Sequence, residues 1–171
     1  MDYSHYPDLV PETGKLGDAL WSPDKKHRYC LTRPLAEKGP TMVICMQNPS
    51  KASADDSDPT VTRVIGFARR EKVGKLIVVN MGAGVATDPK DFLKMEDPVG
   101  PRNLEFLKKV GLEADIAVGA WGALSKRHLE LFRLGLGVVK KWKDLKCFGK
   151  TDTGYPRHPL YLPADAPLVS F

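Results

Sequence analysis

Polar side chains follow three apolar runs of the chain, and a fourth polar stretch lies near its C-terminus. The first stretch is Gln47-Asn48-Pro49-Ser50, the second is Asn80, the third is Trp121-Gly122 and the last is Arg157-His158-Pro159. Amide side chains offer both a donor and an acceptor, and a histidine can hydrogen-bond through either ring nitrogen. These residue types suit a pocket that binds a small polar ligand, provided that the fold brings them together.

Each stretch also has a simpler interpretation when it is taken singly. Asparagine and proline favour turns, so residues 47–50 are explained by a strand-to-loop turn. Asn80 and His158 suit hydrogen-bonded loop residues, and Trp121 suits packing in the core or at its rim. Ser50 together with His158 leaves serine hydrolysis open, although no G-x-S-x-G elbow supports it. The case for a site therefore depends on co-location.

The elements that must position these residues are predicted from apolar runs and helix signals. The runs typical of buried strands are 41–46, 75–80, 115–120 and 145–148, and residues 27–33 alternate like a half-buried strand. The predicted helices are one that begins at Pro59, with Asp58 as its N-cap, and is ended by Gly74, then 88–95, 102–110, and one that ends at Leu134. This order predicts a three-layer α/β/α fold with a central, mostly parallel four-stranded sheet. Because ligands bind beyond the carboxyl ends of parallel strands, we expect all four polar stretches at one edge of the sheet.

Length and composition fit one globular domain. The chain has 171 residues, of which 42% are hydrophobic and 27% charged, both ordinary values for a globular protein. We expect residues 1–20 to be a lead-in segment and residues 21–171 to be a single α/β domain. The N-terminus lacks a signal-peptide pattern and no apolar run has the roughly 20 residues of a spanning helix, so the expected location is the cytoplasm. We expect no cofactor, no metal and no membrane partner.

The polar stretches and their flanks resemble a known family. The sequences MQNPS, VVNMGAGVATDPKDF, DPVGPRN, AVGAWGA and GYPRHPLYLP, between His27 and Pro163, resemble the domain of unknown function 1643 family of bacteria and phages. The same motifs in the same order also resemble the uracil-DNA glycosylase superfamily, in the branch whose first motif is N-P-G or N-P-S. In that superfamily an asparagine closes the next strand, W-G follows a later one and an H-P-S-P-L loop lies near the C-terminus. The resemblance implies a uracil-DNA glycosylase-like form of the α/β fold.

The activity that this resemblance implies is that of a DNA glycosylase, which hydrolyses the N-glycosidic bond of a base flipped out of DNA. By resemblance, Asn48 would orient the attacking water and His158 would hydrogen-bond the leaving base. Asn80 would read the edge of the base through its paired donor and acceptor. The other residues of the implied base pocket are Gln47, Pro49, Ser50 and Trp121.

Basic residues provide candidate contacts to DNA phosphates. The net charge is +5 and the pI is near 9.1, a moderate basic excess that is compatible with a polyanionic partner. The candidates are Arg69, Arg70, Lys126, Arg127 and Arg157. A solvated helix face is the simpler interpretation of Arg69 and Arg70. We expect a monomer that binds single- or double-stranded DNA with the base flipped out.

Two residues depart from the uracil-specific pattern. Asn48 stands where the fastest uracil enzymes have a carboxylate, and an amide cannot act as a general base. Ser50 stands where a tyrosine would block C5 of the pyrimidine, so we hypothesise a damaged or 5-modified pyrimidine as substrate, as in DNA repair or modified phage DNA. The alternatives are a non-catalytic module that binds nucleobases or nucleic acid, and an enzyme that acts on free nucleosides or nucleotides.

Overall fold

The computed structural model describes residues 3–171, which form one sheet of eight strands with short helices around it. The strands are β1 (Val10–Gly14), β2 (Gly17–Trp21), β3 (Arg28–Pro34), β4 (Thr41–Met46), β5 (Lys75–Asn80), β6 (Ile116–Gly119), β7 (Lys146–Cys147) and β8 (Val169–Ser170). The helices are α1 (Pro59–Arg70), α2 (Pro89–Phe92), α3 (Asn103–Glu113), α4 (Lys126–Leu131), α5 (Arg133–Val139) and a 3-10 helix at Pro159–Tyr161. Among these described helices, none has the length and apolar character needed to span a bilayer.

The sheet is mixed, which corrects the predicted fold. Its strand order is β1-β2-β3-β5-β4-β6-β7-β8. β4 is parallel to β5 and β6, and β6 is parallel to β7, whereas the other four neighbouring pairs are antiparallel. The prediction of a three-layer α/β/α arrangement around a central, mostly parallel four-stranded sheet is therefore wrong.

The strands that the prediction missed lie where the sequence has no strong strand pattern. β1 and β2 form a hairpin within residues 10–21, most of it inside the segment expected to be a lead-in; residues 1 and 2 of that segment lie outside the described residues. β8 has two exposed residues at the other edge of the sheet. β1 and β8 are the edge strands, and each is held by backbone hydrogen bonds to one neighbour. An apolar pattern reports burial and gives little sign of them.

The two central strands have the positions that their apolar runs indicate. β4 lies between β5 and β6, and both of its faces are covered, as expected for a continuous apolar run. Val43 and Cys45 pack on the side of α3 and α5, whereas Ile44 and Met46 pack on the side of α1. The bounds predicted for β4 and β5 are confirmed.

Helix α1 places its N-terminus at the edge of the sheet where the parallel strands end. It follows β4 and precedes the parallel strand β5, so it must run back across the sheet from this edge. Asp58 is its N-cap, with the Val61 N–H donating to Asp58 Oδ1 at 2.8 Å, and Pro59 begins the helix, so the predicted cap is confirmed. Val61, Val64 and Phe67 form its buried stripe.

Candidate functional site

A cavity of about 510 Å³ opens between the loops that follow β4, β5 and β6. Five residues predicted for the site lie in its wall, namely Gln47, Asn48, Ser50, Trp121 and His158. They come from three segments that are far apart in the sequence, so the fold brings them together. Asn80 and Pro49, also predicted, are not among the residues that form the wall.

Asn48 joins two loops through its amide nitrogen. Nδ2 donates to the carbonyl oxygen of Ala86 at 2.8 Å and to that of Pro49 at 3.0 Å. The Ala86 N–H donates to the same Pro49 oxygen at 3.1 Å. Because both amide protons are used, the orientation of the amide is fixed and Oδ1 remains an acceptor on a residue of the cavity wall. Such an acceptor can orient a water molecule, but it cannot take its proton.

His158 uses one ring nitrogen in a local hydrogen bond, and the other has no hydrogen-bond partner among residues 3–171. The Leu160 N–H donates to Nδ1 at 3.4 Å, at the start of the 3-10 helix. This contact favours the neutral ring with its proton on Nε2, which can donate into the cavity. Burial lowers the pKa of His158, and the nearby Asp58 carboxylate partly opposes this shift. The His158 ring is therefore neutral at pH 7, with a proton on Nε2 that it can donate.

Gln47 is held by a chain of polar contacts. Its Nε2 lies 2.9 Å from His128 Nε2, and His128 Nδ1 lies 2.9 Å from Ser125 Oγ. The His128 side chain is buried, with its ring stacked against those of Phe92 and Phe132. With the Gln47 amide as donor, His128 must be neutral and must donate from Nδ1 to Ser125. The Gln47 amide is thereby oriented in the cavity wall.

We expect protonation of His128 to destabilise the protein at mildly acidic pH. Burial, and next the charge of Arg127, lower the pKa of His128 from its ordinary value of 6.5. The unfolded chain therefore takes up a proton at a higher pH than the folded chain. The contribution of His128 is complete above about pH 6.5 and is lost as the pH falls through the lowered pKa.

Urea unfolding of the wild type and of His128→Gln between about pH 5 and pH 8 measures this effect. The free energy of unfolding of the wild type should fall more steeply towards acid than that of the variant. Equal pH dependence in the two proteins would show that His128 is not the responsible group. His158 is present in both proteins, so its own contribution cancels in the comparison.

Asn80 lies beside the cavity and not in its wall. It is 1% exposed and pairs with Met46 across β4 and β5. Its backbone oxygen accepts from Asn103 Nδ2 at 3.0 Å, while its own Nδ2 has no partner among the described residues. Met46 forms the neighbouring part of the wall. The predicted role of Asn80 in reading a base stays a prediction.

The Trp121-Gly122 pair fixes the C-terminal segment that carries His158. Trp121 is buried, and its ring meets Phe171 edge-on at 5.5 Å, so it packs in the core as well as forming cavity wall. Gly122 has φ +73°, a conformation that favours glycine. Its N–H donates to the Pro156 carbonyl at 2.9 Å. A side chain at residue 122 would come within 3.4 Å of the His158 Cβ.

Asp58 belongs to the cavity wall as well as to the helix cap. Its Oδ1 accepts the Val61 N–H, whereas Oδ2 accepts no hydrogen bond from residues 3–171. Its charge acts on both His158 and Arg28. The sequence pattern D-P at the start of a helix explains Asp58 as a cap, and nothing in that pattern indicates the second role.

A β-bulge aims Arg28 at the cavity. β2 and β3 pair Leu20 with Cys30 and then Trp21 with Arg28, so Tyr29 has no partner in β2. Tyr29 and Cys30 therefore pack on the same side of the sheet, and Arg28 returns to the side of Trp21 and α1. Bulges commonly redirect a side chain next to a site. Strict alternation along β3 predicts the opposite face for Arg28, which is why the sequence gives no sign of it.

Two of the predicted phosphate contacts lie far from the cavity. Arg69 and Arg70 end α1, about 16 Å along the helix from Pro59 at 1.5 Å per residue. The Arg70 guanidinium donates to the carbonyl oxygens of Ala164 at 2.7 Å and Ala166 at 2.6 Å. Arg70 thus holds the segment of Ala164 and Ala166, and both Arg69 and Arg70 lie at the end of α1 away from the cavity.

The other three candidates lie nearer to the cavity, at the start of α4 and in the segment that carries His158. Lys126 and Arg127 begin α4, after β6, and both are exposed. Arg127 donates to the Leu93 carbonyl at 2.7 Å. Arg157 is also exposed, and it directly precedes the histidine of the wall. These positions are compatible with contacts to a chain of phosphates that passes the cavity mouth.

The rim of the cavity carries two exposed apolar side chains. Tyr161 is 81% exposed and Leu160 is 40% exposed, and both belong to the cavity lining. The Tyr161 ring lies 5.8 Å from that of His158. An exposed aromatic ring beside a polar cavity offers a stacking surface.

Comparison with known proteins identifies a family without an assigned activity. The model of a family described as "Protein of unknown function (DUF1643)" matches residues 28–160, most of the chain, which confirms the resemblance to that family. The matched range contains Arg28, Asn48, Asp58 and His158. A search of curated proteins finds no match.

Proposed function

This chain belongs to the DUF1643 family, and we propose that it hydrolyses the N-glycosidic bond of a damaged or 5-modified pyrimidine flipped out of DNA. The observation that carries the proposal is the single cavity whose wall contains Asn48, Asp58 and His158. Its volume of about 510 Å³ suits a single base and its sugar, within the range of about 300–1,000 Å³ for ligand pockets. The motif order that resembles the uracil-DNA glycosylase superfamily supports the same activity.

The proposed reaction uses three side chains. Water attacks C1′ of the sugar while the bond from C1′ to the base breaks, and the base leaves with the bonding electron pair. Asn48 Oδ1 orients the water, and Asp58 Oδ2 accepts its proton. His158 donates from Nε2 to the oxygen of the leaving base, where negative charge develops. Asp58 thus supplies the carboxylate that Asn48 cannot.

The side chains around the cavity mouth suit the entry of a flipped-out base. Tyr161 and Leu160 offer apolar contacts to bases next to the flipped one. Lys126, at the start of α4, and Arg157, next to His158, are exposed cations near the cavity. Ser50 is half-buried in the wall, and its small side chain leaves room for a 5-substituent.

The activity is tested with oligonucleotides that carry one uracil, 5-hydroxymethyluracil or glycosylated 5-hydroxymethylcytosine. The wild-type protein should leave an abasic site at the modified position of at least one of them, detected as strand scission in hot alkali. A strand of the same sequence with ordinary bases is the control and should stay intact. If every modified strand remains uncut, the protein is not a glycosylase of this class.

A second candidate is hydrolysis of a free nucleoside or nucleotide. It is favoured by one observation: Arg69 and Arg70, which were expected to hold DNA, lie at the far end of α1. DNA binding that falls steeply with salt supports the DNA enzyme, because phosphate contacts release counterions. Absence of DNA binding together with release of a base from a free nucleoside supports the second candidate. Salt-sensitive binding without base release indicates a binding module.

A further inference from the structure

Arg28 is a buried cation with little compensation from the protein. It is 2% exposed, its Nη1 donates to the Ala52 carbonyl at 2.5 Å, and its Nε has no partner in the described part of the chain. Within residues 3–171, the guanidinium makes no other hydrogen bond and forms no ion pair with a carboxylate. A guanidinium has five N–H donors. Most of those on Arg28 are therefore left without a protein acceptor.

Arg33, on the same strand, shows what a structural arginine does in this protein. It is also 2% exposed, but its guanidinium donates to the carbonyl oxygens of Thr32, Ser53 and Asp56 at 2.9, 2.6 and 3.0 Å. Arg33 does not line the cavity. Two of these bonds hold the loop after β4, and only its Nε, like that of Arg28, has no partner among residues 3–171. Arg28 holds that loop by one bond only, and it faces the cavity.

The charge of Arg28 persists at neutral pH. Burial lowers the pKa of Arg28 to about 10, and the Asp58 carboxylate opposes this shift. A buried charge that lacks acceptors is costly, so such groups are normally paired. The cavity offers the direction from which a partner can reach Arg28. A ligand acceptor there would satisfy donors that the protein leaves open.

We propose that Arg28 binds an oxyanion, a carboxylate or a phosphate group, on the ligand that occupies the cavity. The guanidinium fork matches two oxygens of such a group. The inference rests on the proposed function insofar as it takes the ligand to be a pyrimidine derivative. The oxyanion is then either an acidic substituent of the base or the phosphate of a free nucleotide.

The other charged groups of the cavity wall define where the oxyanion sits. Asp58 is the one carboxylate among the described wall residues, and its negative charge repels the oxyanion of the ligand. His158 is neutral at pH 7 because burial lowers its pKa. The oxyanion therefore lies on the Arg28 side of the cavity. The sugar and the water lie on the side of Asp58.

Calorimetric titration with matched ligands tests the proposal. One pair is 5-carboxyuracil and its neutral analogue 5-carbamoyluracil, and the other is uridine monophosphate and uridine. The wild type should bind the acidic member of one pair about 10- to 100-fold more tightly than the neutral member. If the wild type prefers 5-carboxyuracil to 5-carbamoyluracil, the oxyanion is an acidic substituent of the base. If it prefers uridine monophosphate to uridine, the oxyanion is the phosphate of a nucleotide. Equal binding within both pairs overturns the proposal.

Variants assign the preference to Arg28. Arg28→Gln should abolish the preference for the acidic ligand, and Arg28→Lys should retain part of it. The matched control Arg33→Gln should lower the melting temperature but leave the preference for the acidic ligand unchanged. A preference that survives in folded Arg28→Gln overturns the proposal. If that variant does not fold, the wild-type comparison and Arg28→Lys decide. Base release is measured separately, so failure of the glycosylase proposal does not produce failure here.

Discussion

Asp58→Asn should slow base release by about 100- to 10,000-fold, the usual size of a general-base contribution, while the fold remains intact. Asp58 Oδ2 accepts no hydrogen bond within residues 3–171 and lies on a residue of the cavity wall. An amide at this position cannot take a proton from water. Asparagine is as good an N-cap as aspartate, so the Val61 N–H keeps its acceptor. The change therefore separates catalysis from helix capping.

The matched control is Asp58→Ala, which removes both functions. It should slow base release to the same degree and also lower the free energy of unfolding by about 0.5–2 kcal/mol, the usual cost of losing a cap. Single-turnover kinetics on the best oligonucleotide and urea unfolding measure the two effects. Wild-type rates in Asp58→Asn would mean that Asp58 is a cap and nothing more.

Asn48→Asp should lower both stability and activity, although it introduces the carboxylate found in the fastest uracil enzymes. Asn48 Nδ2 donates to the carbonyl oxygens of Ala86 and Pro49. A carboxylate oxygen has no proton to donate and repels both carbonyls. We expect the free energy of unfolding to fall by about 1–3 kcal/mol, because the part-buried Ala86 carbonyl loses its donor and the new charge lies beside two carbonyl oxygens. The two loops should separate and displace the water-orienting oxygen.

Asn48→Ala is the control that removes the donor without adding charge. It should be less destabilised than Asn48→Asp, and it should also be slow because the oriented acceptor is lost. Urea unfolding and single-turnover base release report the two properties. A stable Asn48→Asp variant with faster base release would contradict the assignment of Asn48 as a loop clamp that orients water.

The parts of the fold that sequence patterns predict well are those in which local signals and burial agree. β4 and β5 are continuous apolar runs with clear polar ends, and their bounds follow directly. Asp58-Pro59 is a strong helix start with an apolar stripe behind it. The antiparallel strands at the two edges of the sheet, β1 and β2 on one side and β8 on the other, carry no such signal. The predicted sheet therefore had too few strands and too large a share of parallel pairs.

The candidate site was predictable where it follows strand ends. Asn48 follows β4 and His158 lies in the segment after β7; because β4, β6 and β7 are parallel, the sequence predicts both residues at the same end of the sheet, and both line the cavity. Arg28 was not found because its direction depends on a bulge between β2 and β3, which depends on pairing and not on residue pattern. Composition gives the charge of Arg69 and Arg70 without their position; only the length and direction of α1 locate them at the end of the helix away from the cavity, and their contact with phosphates stays a prediction.

Release of the free base is the most direct test of the central claim that the cavity hydrolyses an N-glycosidic bond. Mass spectrometry of reactions with the modified oligonucleotides measures both the released base and the abasic strand. The proposal predicts that the wild type forms the two in equal amounts and that His158→Ala and Asp58→Asn form them far more slowly. A wild-type protein that binds these strands and releases no base from any of them would contradict it.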